Sequence, residues 1–199
     1  MKQKFLILLA MTLLPMSMLA QYDDESSDTF YRLIGDFYYE LDSVSLTAAV
    51  DGCRLHEVFR EIVIPNTVEA PDDEDALPEI EPNIRTYKVT KINDKAFMGN
   101  KDLTTVTLGD NVEVIGECAF RSCHSITTVT LGSRVWSIGN EAFAYCTNLA
   151  TVNMNNMLRS IGTHAFIGCS SLPAFNFPST VTTIGSKKKT VNRNGSSAI

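Results

Sequence analysis

An apolar pattern that recurs every 23 residues is the feature that most constrains how this chain folds. Each repeat opens with an aliphatic residue, places an isoleucine three positions later, continues with an Ala-Phe pair and closes with an L-x-x-V-x-L segment or a close variant. One such unit is too short to bury a core alone, whereas stacked units share a continuous one. The sequence therefore predicts a repeat solenoid over residues 89–185. Full repeats begin at Val89, Val112, Val135 and Leu158, and a partial fifth begins at Val181.

The segments within one repeat predict a mostly β unit. Residues 103–108 end in the alternation of apolar and polar residues that is typical of a half-buried strand. Gly-Asp-Asn at 109–111 predicts a turn, and Val112 and Ile115 predict a second short strand. The Ala119-Phe120 pair is expected to point into the core from a short helical or irregular turn. A bend that needs a permissive backbone is indicated by Gly116, Gly139, Gly162 and Gly185, with the tolerant Asn93 in the first repeat.

Three of the five cysteines occupy one repeat position and predict a buried structural ladder rather than a disulfide framework. Parallel side chains on stacked turns do not have the geometry of a disulfide. No CxxC spacing occurs, and the one CxxH spacing, at Cys53 and His56, lacks the second pair of ligands that a zinc site needs, so no cofactor is expected. Cys118 lies at a variable position and is predicted to be the most exposed thiol. The ladder consists of Asn100, Cys123, Cys146 and Cys169.

Residues 1–20 have the order of a secretory signal peptide. Lys2 and Lys4 precede an apolar run at 5–14, and small residues follow it. Cleavage between Ala20 and Gln21 would release a secreted or cell-surface protein, with no membrane span after cleavage. The alternative is a buried N-terminal helix.

Residues 21–88 predict an N-terminal β cap, which a solenoid needs because an open end exposes core and unpaired strand. Candidate strands lie at 37–41, 46–50 and 62–64. The segment Phe59-x-x-Ile62-x-Ile64 follows the L-x-x-V-x-L pattern, which indicates a degenerate first coil.

Two polar segments are expected to have no regular structure. Residues 69–85 are rich in acid and proline, which predicts a solvated hairpin loop; a weak calcium site or a docking patch for a basic partner are the alternatives. Residues 186–199 form a basic and polar tail in which Lys188 and Lys189 replace the Ala-Phe pair. Disorder is therefore predicted after about Gly185, over residues 186–199.

The outward residues of the repeated strands are not needed for the core and form the candidate ligand face. They are small and uncharged, so the face is either soluble, β-forming surface or an extended contact for a protein or glycan. Its members are Thr105, Thr107, Thr128, Thr130, Thr151, Asn153, Ala174 and Asn176.

A second outward row places the single tryptophan, Trp136, between Glu113 and Arg159, with Thr90 and Thr182 at the two ends. Exposed tryptophan is enriched in interface hot spots and can stack on sugar rings, which adds Trp136 and Arg159 to the candidate ligand face. Alternatively, Trp136 rests under Arg159 in a structural cation–π contact.

Charge and motif content argue against several function classes. The formal net charge of −6 argues against nucleic acid, which requires basic surface, and against anionic lipid. His56, His124 and His164 occupy unrelated positions, and no nucleophile elbow, phosphate loop or HExxH motif is present. The chain is therefore expected not to be an enzyme.

Residues 112–131 carry a valine, the Ile115-Gly116 step, the Ala119-Phe120 pair, Cys123 and a closing I-x-x-V-x-L, and they resemble the BspA-like leucine-rich-repeat family of bacterial surface proteins. The resemblance covers about residues 30–185. It implies a leucine-rich-repeat solenoid in an adhesin-like, secreted or cell-surface protein that binds a host or bacterial protein and has no active site. A glycan-binding accessory protein and a truncated paralogue with no strong ligand are the alternatives.

Overall fold

The computed structural model of the chain describes residues 29–53, 60–71, 84–173, 177–185 and 187–188. Regular structure in these ranges is entirely β, and the predicted signal peptide at 1–20 and His56 lie outside them. The strands are β1 (Thr29–Ile34), β2 (Phe37–Asp42), β3 (Thr47–Cys53), β4 (Glu61–Ile64), β5 (Thr67–Pro71), β6 (Ile84–Ile92), β7 (Thr105–Leu108), β8 (Val114–Ile115), β9 (Thr128–Thr130), β10 (Ser137–Ile138), β11 (Thr151–Asn153), β12 (Ser160–Ile161), β13 (Thr183–Ile184) and β14 (Lys187–Lys188).

The strands form two sheets whose register reproduces the 23-residue period. A short sheet has the order β11-β9-β7-β4 and is parallel throughout. A long sheet has the order β1-β2-β3-β6-β8-β10-β12-β13-β14, with β5 also paired to β6. Val106 lies opposite Val129 in the short sheet, and Ile115 lies opposite Ile138 in the long sheet. The predicted repeat solenoid is confirmed, with one strand of each sheet supplied by every complete described coil.

The apolar repeat positions point inward and make one continuous core. Ala119 and Phe120 are fully buried, as the pattern predicts. The phenylalanines of successive coils stack face to face, with centroid separations of 5.1 Å for Phe97 and Phe120, 5.2 Å for Phe120 and Phe143, and 5.4 Å for Phe143 and Phe166. Such stacking joins neighbouring coils through the aromatic part of the core.

The repeat glycines are required by close approach of neighbouring coils, so the predicted need for a permissive backbone is wrong for three of them. Gly116, Gly139 and Gly162 are absent from the positive-φ residues, whereas Gly185 has a φ of 60°. A Cβ on Gly139 would come within 2.6 Å of the carbonyl carbon of Gly116. Only a residue without a side chain allows the turns to pack this closely.

Left-handed backbone occurs instead at two other positions of the Ala-Phe turn. Both positions recur in all four coils, and most of them do not hold glycine. The residues with positive φ are Lys95, Cys118, Glu141 and His164 at the first position, and Gly99, Ser122, Tyr145 and Gly168 at the second.

Asn93 stands at the glycine position of the first repeat because its side chain links the solenoid to the cap. Its Nδ2 group donates hydrogen bonds to Oε2 of Glu40 at 2.7 Å and to Oδ1 of Asp51 at 3.2 Å. Asn93 is 8% exposed and does not have a positive φ. The prediction that Asn93 serves as a conformationally tolerant residue is therefore wrong.

The N-terminal β cap is present and continues directly into the solenoid. Strands β1, β2 and β3 form an antiparallel meander, and β3 then pairs with β6 in parallel. Strand β4 pairs with β7 so that Ile62 lies opposite Val106 and Ile64 opposite Leu108. The degenerate first coil indicated by the 59–64 motif therefore contributes a complete strand to the short sheet.

Ordered strands extend into both segments that were predicted to lack structure. Residues 69–71 belong to β5 and residues 84–85 to β6, which pair because alternating Val68 and Ala70 are buried. The predicted loop at 69–85 is thus shorter than expected, and 72–83 lie outside the described residues. Strand β6 also crosses the predicted boundary between residues 88 and 89.

The backbone of Lys187–Lys188 forms strand β14, which corrects the prediction of disorder from residue 186 at these two positions. The left-handed φ of Gly185 reverses the chain, so β14 pairs antiparallel with β13. Loss of the Ala-Phe pattern removes core side chains, but it does not prevent backbone pairing at the sheet edge. Residues 189–199 lie outside the described part of the chain.

We expect Gly139→Ala to destabilise the fold by about 2–3 kcal/mol, because the new methyl group must push two coils apart. Gly35→Ala is the control: Gly35 has a positive φ of 60°, which Gly139 does not have, and no atom lies within 4 Å of the added Cβ. Its expected cost is about 1 kcal/mol. Chemical denaturation would compare the two, and equal costs would contradict the close-approach explanation.

We expect Asp51→Asn to be more stable than the parent at pH 7. Burial, with a smaller contribution from Glu40, raises the pKa of Asp51, although Asn93 and Lys91 oppose this. When folding raises the pKa of a carboxyl group, the folded state loses stability as the pH increases above the pKa of that group in the unfolded chain, about 3.9. The asparagine keeps the acceptor for Asn93 without a charge.

Thermal unfolding from pH 7 down to about 4 should show the advantage of Asp51→Asn shrinking as the parent carboxyl becomes protonated. Asp36→Asn, which removes the same charge from an exposed turn, is the control. If the Asp51→Asn variant is less stable than the parent at pH 7, the explanation that burial of the Asp51 charge is unfavourable is wrong.

Candidate functional site

The outward side of the short sheet carries two straight rows of side chains. Parallel pairing places residues of successive coils directly beside one another, so every predicted threonine of this face is in register. One row contains Glu61, Thr105, Thr128 and Thr151, and the other contains Val63, Thr107, Thr130 and Asn153. Ala174 and Asn176 lie outside the described residues.

Hydroxyl and amide groups dominate this face. The threonines of β7 and β9 are half-buried, whereas Thr151 and Asn153 are exposed. Nδ2 of Asn153 donates a hydrogen bond to Oγ1 of Thr130 at 3.0 Å. The rows therefore present hydrogen-bond donors and acceptors on a parallel sheet. Glu61 in β4 adds one carboxylate at the end of one row.

Sequence reasoning missed the part of the face that the cap provides. Val63 is 66% exposed at the end of one row, and Glu61 is exposed at the end of the other. The alignment of residues 59–64 with L-x-x-V-x-L contained this information. Two of its three variable positions, Glu61 and Val63, correspond to Thr105 and Thr107. Extending the outward assignment to these two positions would have placed both residues on the face.

A shallow groove of about 340 Å³ runs past the carboxyl ends of β4, β7 and β9. Val63, Pro65, Thr107 and Thr130 contribute to its walls, and the stacked backbones of the following turns contribute to its lining. Asp110 also lines the groove, and its Oδ1 accepts a hydrogen bond from the Ser133 amide at 2.8 Å. That hydrogen bond lowers the pKa of Asp110. The groove combines an apolar end with hydroxyl groups and one carboxylate.

Trp136 and Arg159 lie on the long sheet and not beside the threonine rows. The amide of Arg159 donates to the Trp136 carbonyl at 2.9 Å, and the amide of Trp136 donates to the Glu113 carbonyl at 3.0 Å. Trp136 is 42% exposed. The residues predicted to form one ligand face therefore belong to two faces on different sheets.

The alternative cation–π contact between Trp136 and Arg159 is not formed. Instead, Arg121 and Tyr145 make such a contact on the Ala-Phe turns, with the guanidinium 5.6 Å from the ring centroid. Arg121 also pairs with Glu141 at 2.5 Å. Tyr145, the partner of Arg121, belongs to the next coil, and the outward row that contains Trp136 gave no indication of this contact.

Cys118 is buried, at 7% exposure, which corrects the prediction that it is the most exposed thiol. It occupies a left-handed turn position with a φ of 55°. A hydrogen bond with Cys118, followed by the nearby Glu141 carboxylate, raises the pKa of Arg121.

The ladder position holds thiols that bond to the backbone of the preceding coil. The Sγ groups of Cys123, Cys146 and Cys169 donate to the carbonyls of Phe97, Phe120 and Phe143 at 3.0, 3.1 and 3.1 Å, respectively. Cys123 and Cys146 are fully buried, and Cys169 is partly buried. All five cysteines are free thiols.

Asn100 occupies the ladder position in the first coil, and both the oxygen and the nitrogen of its side-chain amide form hydrogen bonds. Its Oδ1 accepts hydrogen bonds from the amides of Asp102 and Leu103, at 2.9 and 3.1 Å. Its Nδ2 contacts Sγ of Cys53 at 3.8 Å, which extends the ladder into the cap. Asn100 is only partly buried.

The described residues bring together no group of three or more His, Cys, Asp or Glu side chains that could hold a metal ion. His124 and His164 are both exposed and occupy different repeat positions. In the same ranges, no helix has the length and apolar character needed to cross a membrane.

We expect Cys123 and Cys146 to resist alkylation in the folded protein at pH 8. Burial raises the pKa of Cys123 to about 12 and also raises that of Cys146, so the reactive thiolate is scarce. Thr151→Cys, on the exposed end of the threonine rows, supplies a reactive reference. Mass spectrometry should find full labelling at position 151 and labelling of the two ladder thiols only after denaturation; rapid native labelling of Cys146 would contradict this packing.

The chain is similar to solved bacterial leucine-rich-repeat proteins. A T. pallidum leucine-rich-repeat protein is 25% identical, with a TM-score of 0.64 over 79% of this chain and 65% of the other. A Bacteroides ovatus leucine-rich-repeat protein is 27% identical, with a TM-score of 0.60 over 82% of this chain and 37% of the other. The chain thus spans just under two thirds of the first protein and about a third of the second.

A leucine-rich-repeat protein of Bacteroides capillosus supports the fold, with 23% identity and a TM-score of 0.56 over 78% of this chain and 96% of the other. Comparison with curated proteins gives no significant match. The BspA type leucine-rich-repeat region matches residues 79–188 in six copies. This range is 110 of the 199 residues, and the chain therefore belongs to the BspA type leucine-rich-repeat family.

Proposed function

We propose that this protein is a secreted or cell-surface, adhesin-like binding protein that contacts a protein partner through the outward face of the short sheet. The observation that carries the proposal is the pair of in-register rows on that face. The core does not require outward threonine or asparagine at these positions, so their side chains are available for contact.

The chemistry of the face suits a protein surface. Four strands spaced about 4.8 Å apart present a flat, extended area. Non-obligate interfaces combine an apolar centre with polar groups and tolerate bridging water. The exposed Val63 supplies an apolar contact beside hydroxyls of Thr107 and Thr130, and the groove next to them accepts a protruding side chain.

The residues around the groove favour binding over catalysis. Asp110 is its one titratable lining residue, and its hydrogen bond to the Ser133 amide stabilises the ionised form, whereas a general base needs a pKa near the working pH. Catalysis would also require a positioned nucleophile and base. The threonines of the rows lie beside other hydroxyls, amides and apolar groups, apart from Thr105, which lies opposite the exposed Glu61.

Export is supported by the sequence at the N-terminus. Residues 1–20 combine Lys2 and Lys4, an apolar run and small residues before Gln21 in the order of a secretory signal. Delivery outside the cytoplasm would allow the threonine rows to contact proteins of a host or of other bacteria.

We expect the double variant Thr107→Arg/Thr130→Arg to lose at least about tenfold in affinity for a protein partner, because two large charges would occupy the middle of the face. The parent protein would first be tested by surface plasmon resonance against a panel of immobilised extracellular-matrix and bacterial surface proteins. Every binder found would then be retested with the variant.

Thr86→Arg is the matched control, since it places the same substitution on an exposed position of β6. It should bind like the parent. Unchanged binding of the double variant to every partner would assign the interaction to another face. Failure of the parent to bind any protein in the panel would count against the adhesin-like function itself.

A further inference from the structure

The long sheet carries a row whose chemistry differs from that of the threonine rows. Glu113, Trp136 and Arg159 occupy one repeat position, immediately before β8, β10 and β12. Backbone hydrogen bonds of 2.9 and 3.0 Å join the three residues directly from coil to coil. All three side chains are exposed. An indole therefore lies between a carboxylate on one side and a guanidinium on the other.

The charged neighbours of Trp136 are available to a ligand. Neither Glu113 nor Arg159 forms an ion pair with a described residue, in contrast to Arg121 and Glu141 on the Ala-Phe turns. Because Arg159 also makes no cation–π contact with Trp136, the guanidinium does not cover the indole in the described structure.

A second exposed apolar residue borders the same row. Met157 is 47% exposed and lies two residues before Arg159, in the coil that follows Trp136. Arg134 is exposed two residues before Trp136, and its Nη1 donates a hydrogen bond to Oδ1 of Asn111 at 3.1 Å. The apolar area is consequently small and bordered by polar groups.

This arrangement matches the surface of a pyranose ring. The ring's C–H face is apolar and packs on an indole, whereas its hydroxyls need both acceptors and donors at the ring edge. Glu113 supplies an acceptor and Arg159 a planar set of donors. Neighbouring strands are about 4.8 Å apart, close to the length of one pyranose residue in a glycan, so successive rungs of the row can contact successive sugar units.

We propose that Glu113, Trp136 and Arg159 form a binding site for neutral oligosaccharides. A neutral ligand is favoured because the opposite charges of Glu113 and Arg159 on the two sides of Trp136 cancel, so the row itself favours neither an anion nor a cation, and the formal net charge of the chain, −6, disfavours an anionic sugar. The site extends the proposed function, since it lies on a different sheet from the threonine rows and takes a ligand of another class.

The single tryptophan allows the site to be tested directly, because all indole fluorescence comes from Trp136. The full-length secreted protein would be titrated with maltotetraose, cellotetraose and chitotetraose. A saturable change in emission with at least one of them is expected. No saturable change with any of the three, or a response only to an anionic hyaluronan tetrasaccharide added as a fourth probe, would overturn the proposal.

Variants distinguish the site from general surface effects, with calorimetry as the measurement. Trp136→Ala should abolish binding of the responsive sugar, and Trp136→Phe should retain part of it. Arg159→Gln should weaken binding at least about tenfold, the effect of losing roughly one charged hydrogen bond. Unchanged affinity of Arg159→Gln would overturn the assigned donor role.

The Thr107→Arg/Thr130→Arg protein serves as the control, because its substitutions are on the short sheet. It should bind sugar like the parent while losing its protein partner. Loss of sugar binding in this control would overturn the assignment of two separate faces. Sugar binding that persists without any protein partner would leave this proposal supported and count against the adhesin-like function alone.

Discussion

The contact between successive coils at backbone distance is the constraint on which the rest of the structure depends. Parallel hydrogen bonds join the coils, including those from the Gly116, Gly139 and Gly162 amides to Ile92, Ile115 and Ile138 carbonyls at 2.9, 2.8 and 2.7 Å. At this spacing no Cβ fits between the glycine turns. The same spacing brings the phenylalanine rings to 5.1–5.4 Å and places each ladder thiol beside a carbonyl of the preceding coil.

Because the coils stack in register, each outward repeat position forms a straight row of side chains. The residue that each coil has at that position determines what the row can bind. Threonine at most rungs of the short sheet gives a neutral face, whereas Glu113, Trp136 and Arg159 give the long sheet a row that changes character at each coil. Because these side chains lie outside the core, the chemistry of a row can change with little effect on the fold. Membership of the family therefore leaves the ligand undetermined, and the two faces need separate tests.

Periodicity predicted the parts of the structure that depend on repetition. It identified the core, both repeated strands and the threonine rows, because each follows from one position recurring at 23 residues. It could not predict the burial of Cys118 at a variable position, or that Arg121 and Tyr145 form the cation–π contact, because both depend on side-chain conformations. The role of the repeat glycines was misassigned because a repeated glycine can indicate either a left-handed backbone or a close approach of neighbouring backbones, and the sequence does not distinguish the two. Here Cys118 and Tyr145 have a left-handed backbone and Gly139 does not.

The junction with the cap shows where repeat reasoning ends. Between two coils, glycine is required because the turns touch, but the first coil meets the cap, and there Asn93 reaches Glu40 and Asp51. These partners are 53 and 42 residues away in sequence, so no local pattern reveals them. Burying the contacts of Asn93 desolvates the carboxylates of Glu40 and Asp51, a cost that an apolar contact would avoid. Hydrogen bonds, however, favour one relative position of the donor and its acceptors. Because Asn93 follows directly on β6, these hydrogen bonds hold the end of β6 against β2 and β3, where the cap continues into the first coil.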